Sequence, residues 1–387
     1  MLHLVLASSV ALVAARDVRV STTPELRAAL REARPGALIL LASGTYEGFA
    51  FEGLRGSERE PVVVRSAERA APARFTGGVH FSRIAHVELA DFEIVGAPAN
   101  GLNIDDGGVL DAPAHHVVLR GLAVRDCGRT GNEDGIKLSG VSDFRVDGCG
   151  VERWGRGGSA IDMVGCQRGE IVASWFTDRE QDSAASGVQM KGGSREIAVL
   201  DCRFTHAGQR AVNIGGSTGL AFFRPRPQGF EARDIRVEGC TFSGSLAPIA
   251  FVGVDGASVR FNTFHRPRKW LARILQETRE PGFVPARAGS FTDNLVVYRA
   301  SELALAVNVG GGTQPESFEF ARNYWYCEDQ PRRARPTLPV EERDGAGGRD
   351  PLLRDVAAGD LRLAENSPAR ACGADAWPGR AAHPARR

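Results

Sequence analysis

From about residue 84 the chain repeats one pattern of apolar and polar positions. Alternating apolar residues are followed by a short polar step, a small or polar residue, and an apolar side chain two positions later. It reads VELADFEI at 87–94, VVLRGLAV at 117–124, FRVDGCGV at 144–151, EIVASWF at 170–176 and IAVLDCRF at 197–204. It continues as IRVEGCTF at 235–242, VRFNTF at 259–264, FTDNLVV at 291–297 and FEFARNYW at 318–325. Alternation with period two predicts strands. Self-similarity at intervals of roughly 22–38 residues predicts a solenoid, in which coils stack on one continuous core. Alignment puts Phe92, Leu122, Cys149, Ser174, Cys202, Cys240, Asn262, Asn294 and Asn323 at one bend. It puts Ile94, Val124, Val151, Phe176, Phe204, Phe242, Phe264, Val296 and Trp325 at one interior position. Parallel strands lie about 4.8 Å apart, so the Cys, Ser and Asn row can pass hydrogen bonds up the stack while the Phe and Val row fills the interior. Cys149, Cys202 and Cys240 are thereby explained as stacked small residues, not disulfide partners.

A second strand follows each bend: GLNI at 101–104, GIKL at 135–138, AIDM at 160–163, GVQM at 187–190, AVNI at 211–214, PIAF at 248–251, ARIL at 272–275 and LAVNV at 305–309. Successive residues of a strand face opposite sides. With the apolar residues inward, Asn103, Lys137, Asp162, Gln189, Asn213, Ala250 and Arg273 form one outward row, and Asp105, Ser139, Val164, Lys191 and Gly215 the next. Segments 36–46 and 61–66 supply the first, less regular coils, and a loop at 220–232 enlarges one coil and stands over a sheet edge. The predicted fold is all-β, a single-stranded right-handed parallel β-helix of about ten coils over residues 16–330. Residues 331–387, rich in Pro, Gly and charge, read as a cap and a partly ordered tail. The apolar run at 1–15 ends in small residues before Arg16 and reads as a secretory signal, which places the protein outside the cell or in the periplasm.

Composition removes some classes of partner. Forty-eight Lys and Arg against 47 Asp and Glu give a net charge of +1 over 387 residues, with no global field toward nucleic acid or anionic membranes. No segment beyond the signal is apolar enough to insert in a bilayer, and a monomer is expected. Seven Cys without a CxxC pair or Cys/His zinc spacing leave no zinc motif.

An outward line of amide, ammonium and carboxylate groups suits a sugar chain lying across the sheet, and the expected partner is an acidic polysaccharide. β-Elimination of a uronate needs a base for the proton α to the carboxylate and positive charge to stabilise the enolate-like intermediate. Lys191 and Lys137 are the candidate bases, Arg210 the neutralising cation, and Asp162 the group that tunes both lysines. Asn103, Gln189 and Asn213 would hold hydroxyls, with Asp105 and Arg273 as further binding groups. Glycoside hydrolysis, the alternative, needs two carboxyls about 5–9.5 Å apart. Asp105 stands roughly 12 Å from Asp162 by stacking geometry, so Glu133 or Asp134 would have to approach from the bend. A non-catalytic glycan-binding surface is the third reading.

The stretch LASGTYEGFAFEGLRGSEREPVVVRSAERAAPARFTGG at 41–78 resembles the first coils of chondroitinase B-type and alginate-type polysaccharide lyases of the pectate-lyase-like superfamily. There "GTY", an exposed turn, "P-[VI]-x-[VI]" and a Gly-rich turn follow in this order. The resemblance implies a polysaccharide lyase and sets Lys191, in GVQMKGGS at 187–194, at the Lys of the family's "E-I-x-x-x-K-S". The acidic residues that hold calcium in that family fall at Gly187 and Gln189, and its Arg falls near Gly215. Calcium is thus a candidate ligand without its family donors, and the metal residues are left unassigned.

Overall fold

The computed structural model describes residues 17–382, except Arg129, Asp182, Ala304 and Ala334; the segment read as a signal, 1–15, lies outside them. Each coil visits three sheets in turn, as in Ala85–Ala90, Glu93–Val95 and Leu102–Asp105, then Ala114–Arg120, Ala123–Arg125 and Ile136–Ser139. The first and second sheets hold twelve strands each and the third ten, and every neighbouring pair in them is a strand and its counterpart one coil away. All of these pairs are parallel. The chain is a right-handed parallel β-helix, the hand that parallel crossovers adopt.

The bend from the first sheet to the second is made by one residue in the left-handed conformation just before each ladder position. Asp91, Gly121, Gly148, Ala173, Asp201, Gly239, Phe261, Asp293 and Arg322 have φ between 49° and 67°. Gly and Asp tolerate this region, which accounts for their frequency there. The ladder forms as the alignment requires. The backbone N–H of Cys149 donates to Ser174 Oγ at 3.1 Å, that of Cys240 to Asn262 Oδ1 at 2.9 Å, that of Asn262 to Asn294 Oδ1 at 2.9 Å and that of Asn294 to Asn323 Oδ1 at 3.0 Å. Asn294 Nδ2 also reaches the Val259 carbonyl at 3.0 Å. Inside, Phe176, Phe204, Phe242 and Phe264 stack with centroids 4.7–5.0 Å apart. All seven cysteines are free and buried.

Both ends of the core are closed. At the start, the helix Thr23–Glu32 buries Leu26, Ala29 and Leu30 over the first coil. The strand pattern did not announce it, although Thr22 as N-cap, Pro24 at the first turn and Glu25 three residues after the cap are helix-start signals in the sequence. At the other end, Glu342 accepts hydrogen bonds from Asn323 Nδ2 at 2.8 Å and Trp325 Nε1 at 2.9 Å and so terminates the ladder. The tail then does not leave the body. It forms the antiparallel pair Leu353–Asp355 and Asp360–Leu363 and runs back along the solenoid. Gly373 N–H bonds the Asp293 carbonyl, Ala374 N–H bonds Thr263 Oγ1, and buried Trp377 donates to Glu238 Oε2 at 3.1 Å. Such a strap is invisible to composition, because its few apolar contacts are spread among charged residues.

Replacing Asn294 by Ala leaves the buried Asn262 N–H without its acceptor and takes the Asn294 Nδ2 donor from the Val259 carbonyl. We expect a loss of about 2–3 kcal/mol in urea unfolding; an unchanged midpoint would show that the ladder contributes nothing.

Candidate active site

The register of the third sheet is the one the sequence pattern requires. Asn103 pairs with Lys137, Lys137 with Asp162, Asp162 with Gln189, Gln189 with Asn213, Asn213 with Ala250, and Ala250 with Arg273. The row runs further than that reading reached. His80 precedes Asn103, and Asn308 follows Arg273. Asp105, Ser139, Val164 and Lys191 form the second row, with Ser82 before them.

At the centre stands Asp162, only 2% exposed. One oxygen lies 2.6 Å from Lys137 Nζ and the other 3.3 Å from Lys191 Nζ. Lys137 is also 3.0 Å from Asp134 Oδ2. Asp134 is buried at the bend before the strand, and its Oδ1 accepts from the Ser159 N–H at 2.7 Å. Burial alone would depress the Lys137 ammonium. The charges of Asp162 and Asp134 outweigh it and hold that group above its ordinary value. Lys137, one of two candidate bases, is therefore a fixed cation that does not release its proton near neutral pH. Burial, then repulsion from Asp162, pushes the Asp134 carboxyl up to about 6 against the pull of Lys137.

Lys191 keeps looser company, with Gln189 Oε1 at 3.4 Å beside Asp162. Gln189 also accepts from Ser159 Oγ and donates to the Gly215 carbonyl. Arg210 does not join this cluster. It pairs with Glu277 at 2.8 Å and reaches Asn213 Oδ1 at 3.4 Å. Arg273 bonds Asn308 Oδ1 at 3.0 Å and lies over the Trp270 ring at 4.5 Å. Burial, and then the charge of Arg210, lower Arg273 below its ordinary value, so two guanidiniums crowd this end of the face with Glu277 alone acting on Arg273 as the counter-charge. Trp270 stands at the start of the regular strand Trp270–Leu275.

At the other end, a cleft of about 440 Å³ opens between His80, Asn103, Asp105, Lys137 and Arg224. Burial would raise Asp105, but Ser82 Oγ, the Gly107 N–H and His80 Nε2 all contact its oxygens and hold it below its ordinary value. Sequence reasoning missed His80 because its coil, VHFS at 79–82, precedes the regular repeats. The loop after Gly215 walls this edge, as expected of segment 220–232. Arg224 Nε meets buried Asp106 at 2.7 Å. Buried Glu231 accepts from the N–H groups of Gly192 and Thr218, both at 2.8 Å, which fixes the strand end that carries Lys191.

The donors present do not fit a calcium ion beside Lys191. Asp162 already faces two ammonium groups, Glu231 is engaged by the Gly192 and Thr218 N–H groups, and Gln189 and Asn213 add only neutral oxygens. A larger groove of about 830 Å³ runs along the first sheet, floored by Gly169, Ile197, Ile235 and Ala257. On its rim Arg168 pairs with Asp143, Glu170 with Arg145 and Arg236 with Glu238.

No protein-family model and no curated protein sequence matches the chain. Solved structures do match in shape. Alginate lyase from Paenibacillus sp. str. FPU-7 aligns with a TM-score of 0.51 at 17% identity, over 77% of this chain and 99% of that one. Pectate lyase Pel9A gives 0.54 at 13% identity, over 81% of each chain. The PL6 family polysaccharide lyase Pedsa3628 from Pseudopedobacter saltans gives 0.54 at 10% identity, over 93% and 99%. At such identities the likeness is one of fold, the parallel β-helix.

Asp134 binds its proton more tightly folded, at about 6, than unfolded, at about 4. Between these values the unfolded chain has released its proton while the folded chain still holds it, so this group makes stability fall as pH rises. Asp134→Asn should therefore remove a negative slope: variant minus wild-type stability rises from pH 4 to pH 6 in urea melts. A flat difference would show that Asp134 ionises normally.

Proposed function

We propose that the third-sheet face binds an acidic, uronate-containing polysaccharide and cleaves it by β-elimination. The observation that carries this reading is one carboxylate, Asp162, shared by two ammonium groups in the middle of a polar row that crosses adjacent coils. Lys137 is bound by two carboxylates and Lys191 by a share of one, so Lys191 is assigned as the base. Lys191 takes the proton α to the uronate carboxylate. The electron pair moves toward the carboxylate, the bond to the glycosidic oxygen on the β carbon breaks, and a carbon–carbon double bond is left. The departing oxygen takes its proton from solvent.

The Lys137 charge faces the carboxylate as negative charge builds on it. Arg210 and Arg273 hold neighbouring uronates, Asn103, Gln189 and Asn213 bind hydroxyls, and Asp105 orients His80 at the end of the cleft. The fold shared with alginate and pectate lyases supports the reading at the level of architecture.

Hydrolysis is the second reading and rests on Asp134. A carboxyl raised to about 6 beside a second carboxyl, Asp162, is the kind of pair glycoside hydrolysis uses. Both lie buried beneath Lys137, which places this reading below the lyase.

The test is incubation with alginate, pectate, chondroitin, hyaluronan and heparin while following the ultraviolet absorbance of unsaturated uronate. A rise on one polymer is expected. Reducing ends without absorbance would establish the hydrolase, and neither signal a binding surface. On the cleaved polymer, Lys191→Ala should lower kcat at least about 100-fold with KM little changed. Lys137→Ala should also lower kcat, with partial recovery in Lys137→Arg. Full activity in Lys191→Ala would remove that residue from the mechanism.

Such a substrate lies outside the cell, and among the described residues no helix is long and apolar enough to cross a membrane. We expect the exported chain to begin near Arg16, which intact mass after secretion would read; a full-length secreted mass would reject the signal assignment.

A further inference from the structure

Away from the third sheet, three histidines converge on the first. His86 and His116 occupy equivalent positions on adjacent coils. In the pairing of Ala85 with His115 and Val87 with Val117, each is the intervening residue, in the left-handed conformation with φ of 52° and 53°. Both left-handed bends turn their rings together, stacked with centroids 4.4 Å apart. The neighbouring His115 ring stands edge-on to both, and its Nδ1 is 2.8 Å from His116 Nδ1. One ring nitrogen from each of the three lies within 4.8 Å of the others.

Burial, then His116, His86 and Arg55, lower His115 below its ordinary value, with Asp143 opposing. Asp143 gives both carboxylate oxygens to Arg168, at 2.7 and 2.8 Å, so its charge is already shared. Three imidazoles with converging ring nitrogens are the donor set of the zinc–copper–nickel class, not of calcium or magnesium. A tetrahedral ion with metal–nitrogen bonds of about 2.0–2.1 Å sets its ligand nitrogens about 3.3 Å apart. The spacing between 2.8 and 4.8 Å brackets that value, and small ring rotations close the difference.

We propose that His86, His115 and His116 bind one divalent transition-metal ion of the zinc class, with the remaining position open to solvent on the exposed His116 side. The ion would clip two adjacent coils together, separately from any chemistry on the third sheet.

The tag-free, full-length protein, stripped with chelator, would be titrated with zinc chloride by calorimetry near neutral pH. Saturable uptake of one ion per chain is expected, together with a rise in unfolding temperature. His116→Asn and His86→Asn are the informative variants, because Asn tolerates the left-handed backbone that these histidines adopt. Each should weaken zinc binding more than about tenfold and abolish the thermal shift, while the metal-free melting temperature stays within the range of surface substitutions. Unsaturable uptake of several ions, no uptake, or variants that bind as wild type would each overturn the assignment.

Discussion

The structure depends on one constraint, that each coil must lie in register over the coil before it. Parallel pairing satisfies the strand N–H and C=O groups between coils, but the bends have no such ladder and must find partners of their own. Here the side chains of Ser174, Asn262, Asn294 and Asn323 supply them, each accepting the N–H of the residue one coil earlier. A slip of one residue in any coil would put a carbonyl where a side-chain oxygen is needed and turn its apolar residues outward. The Phe176–Phe264 stack adds the same demand from inside, since rings with centroids 4.7–5.0 Å apart keep that contact only while their coils stay in register.

That register also creates the candidate site. Outward side chains about 4.8 Å apart on adjacent coils cannot avoid one another, so charges in the row must be arranged as neighbours. Asp162 between Lys137 and Lys191 is the result: a buried carboxylate whose cost is met by two ammonium groups, with Asp134 added behind the first. The unequal sharing distinguishes the two lysines. Lys137 is fixed as a cation by two carboxylates, while Lys191 has a weaker hold, sharing Asp162 at 3.3 Å. The same neighbour rule brings His86 and His116 together on the first sheet, where nothing of opposite charge is inserted between them.

A solenoid pays for its simplicity at its ends, where the last coil exposes core. The helix Thr23–Glu32 covers one end and the Glu342 segment the other. The strap through Trp377 then ties the tail to coils more than a hundred residues earlier, at Glu238 and beside Val172 and Leu200. Its contacts are few, but they join parts of the stack that otherwise communicate only through intervening coils.

The sequence by itself determined the coil pattern, the bend ladder, the interior aromatic row and the outward row from Asn103 to Arg273, because period-two alternation and a stacked repeat fix which residues share a face. It also determined that Lys137, Asp162 and Lys191 are neighbours. It did not show His80 or the histidine cluster. The first coils are irregular, and a left-handed bulge shifts His86 and His116 out of the alternation from which faces are read. Only the tertiary structure decided which lysine is held, that Arg210 turns to Glu277 instead of Lys191, and that the tail folds back. Those outcomes depend on a bend residue, a loop and a distant tryptophan—Asp134, Glu277 and Trp377—whose positions follow from chain paths between coils and not from the repeat itself.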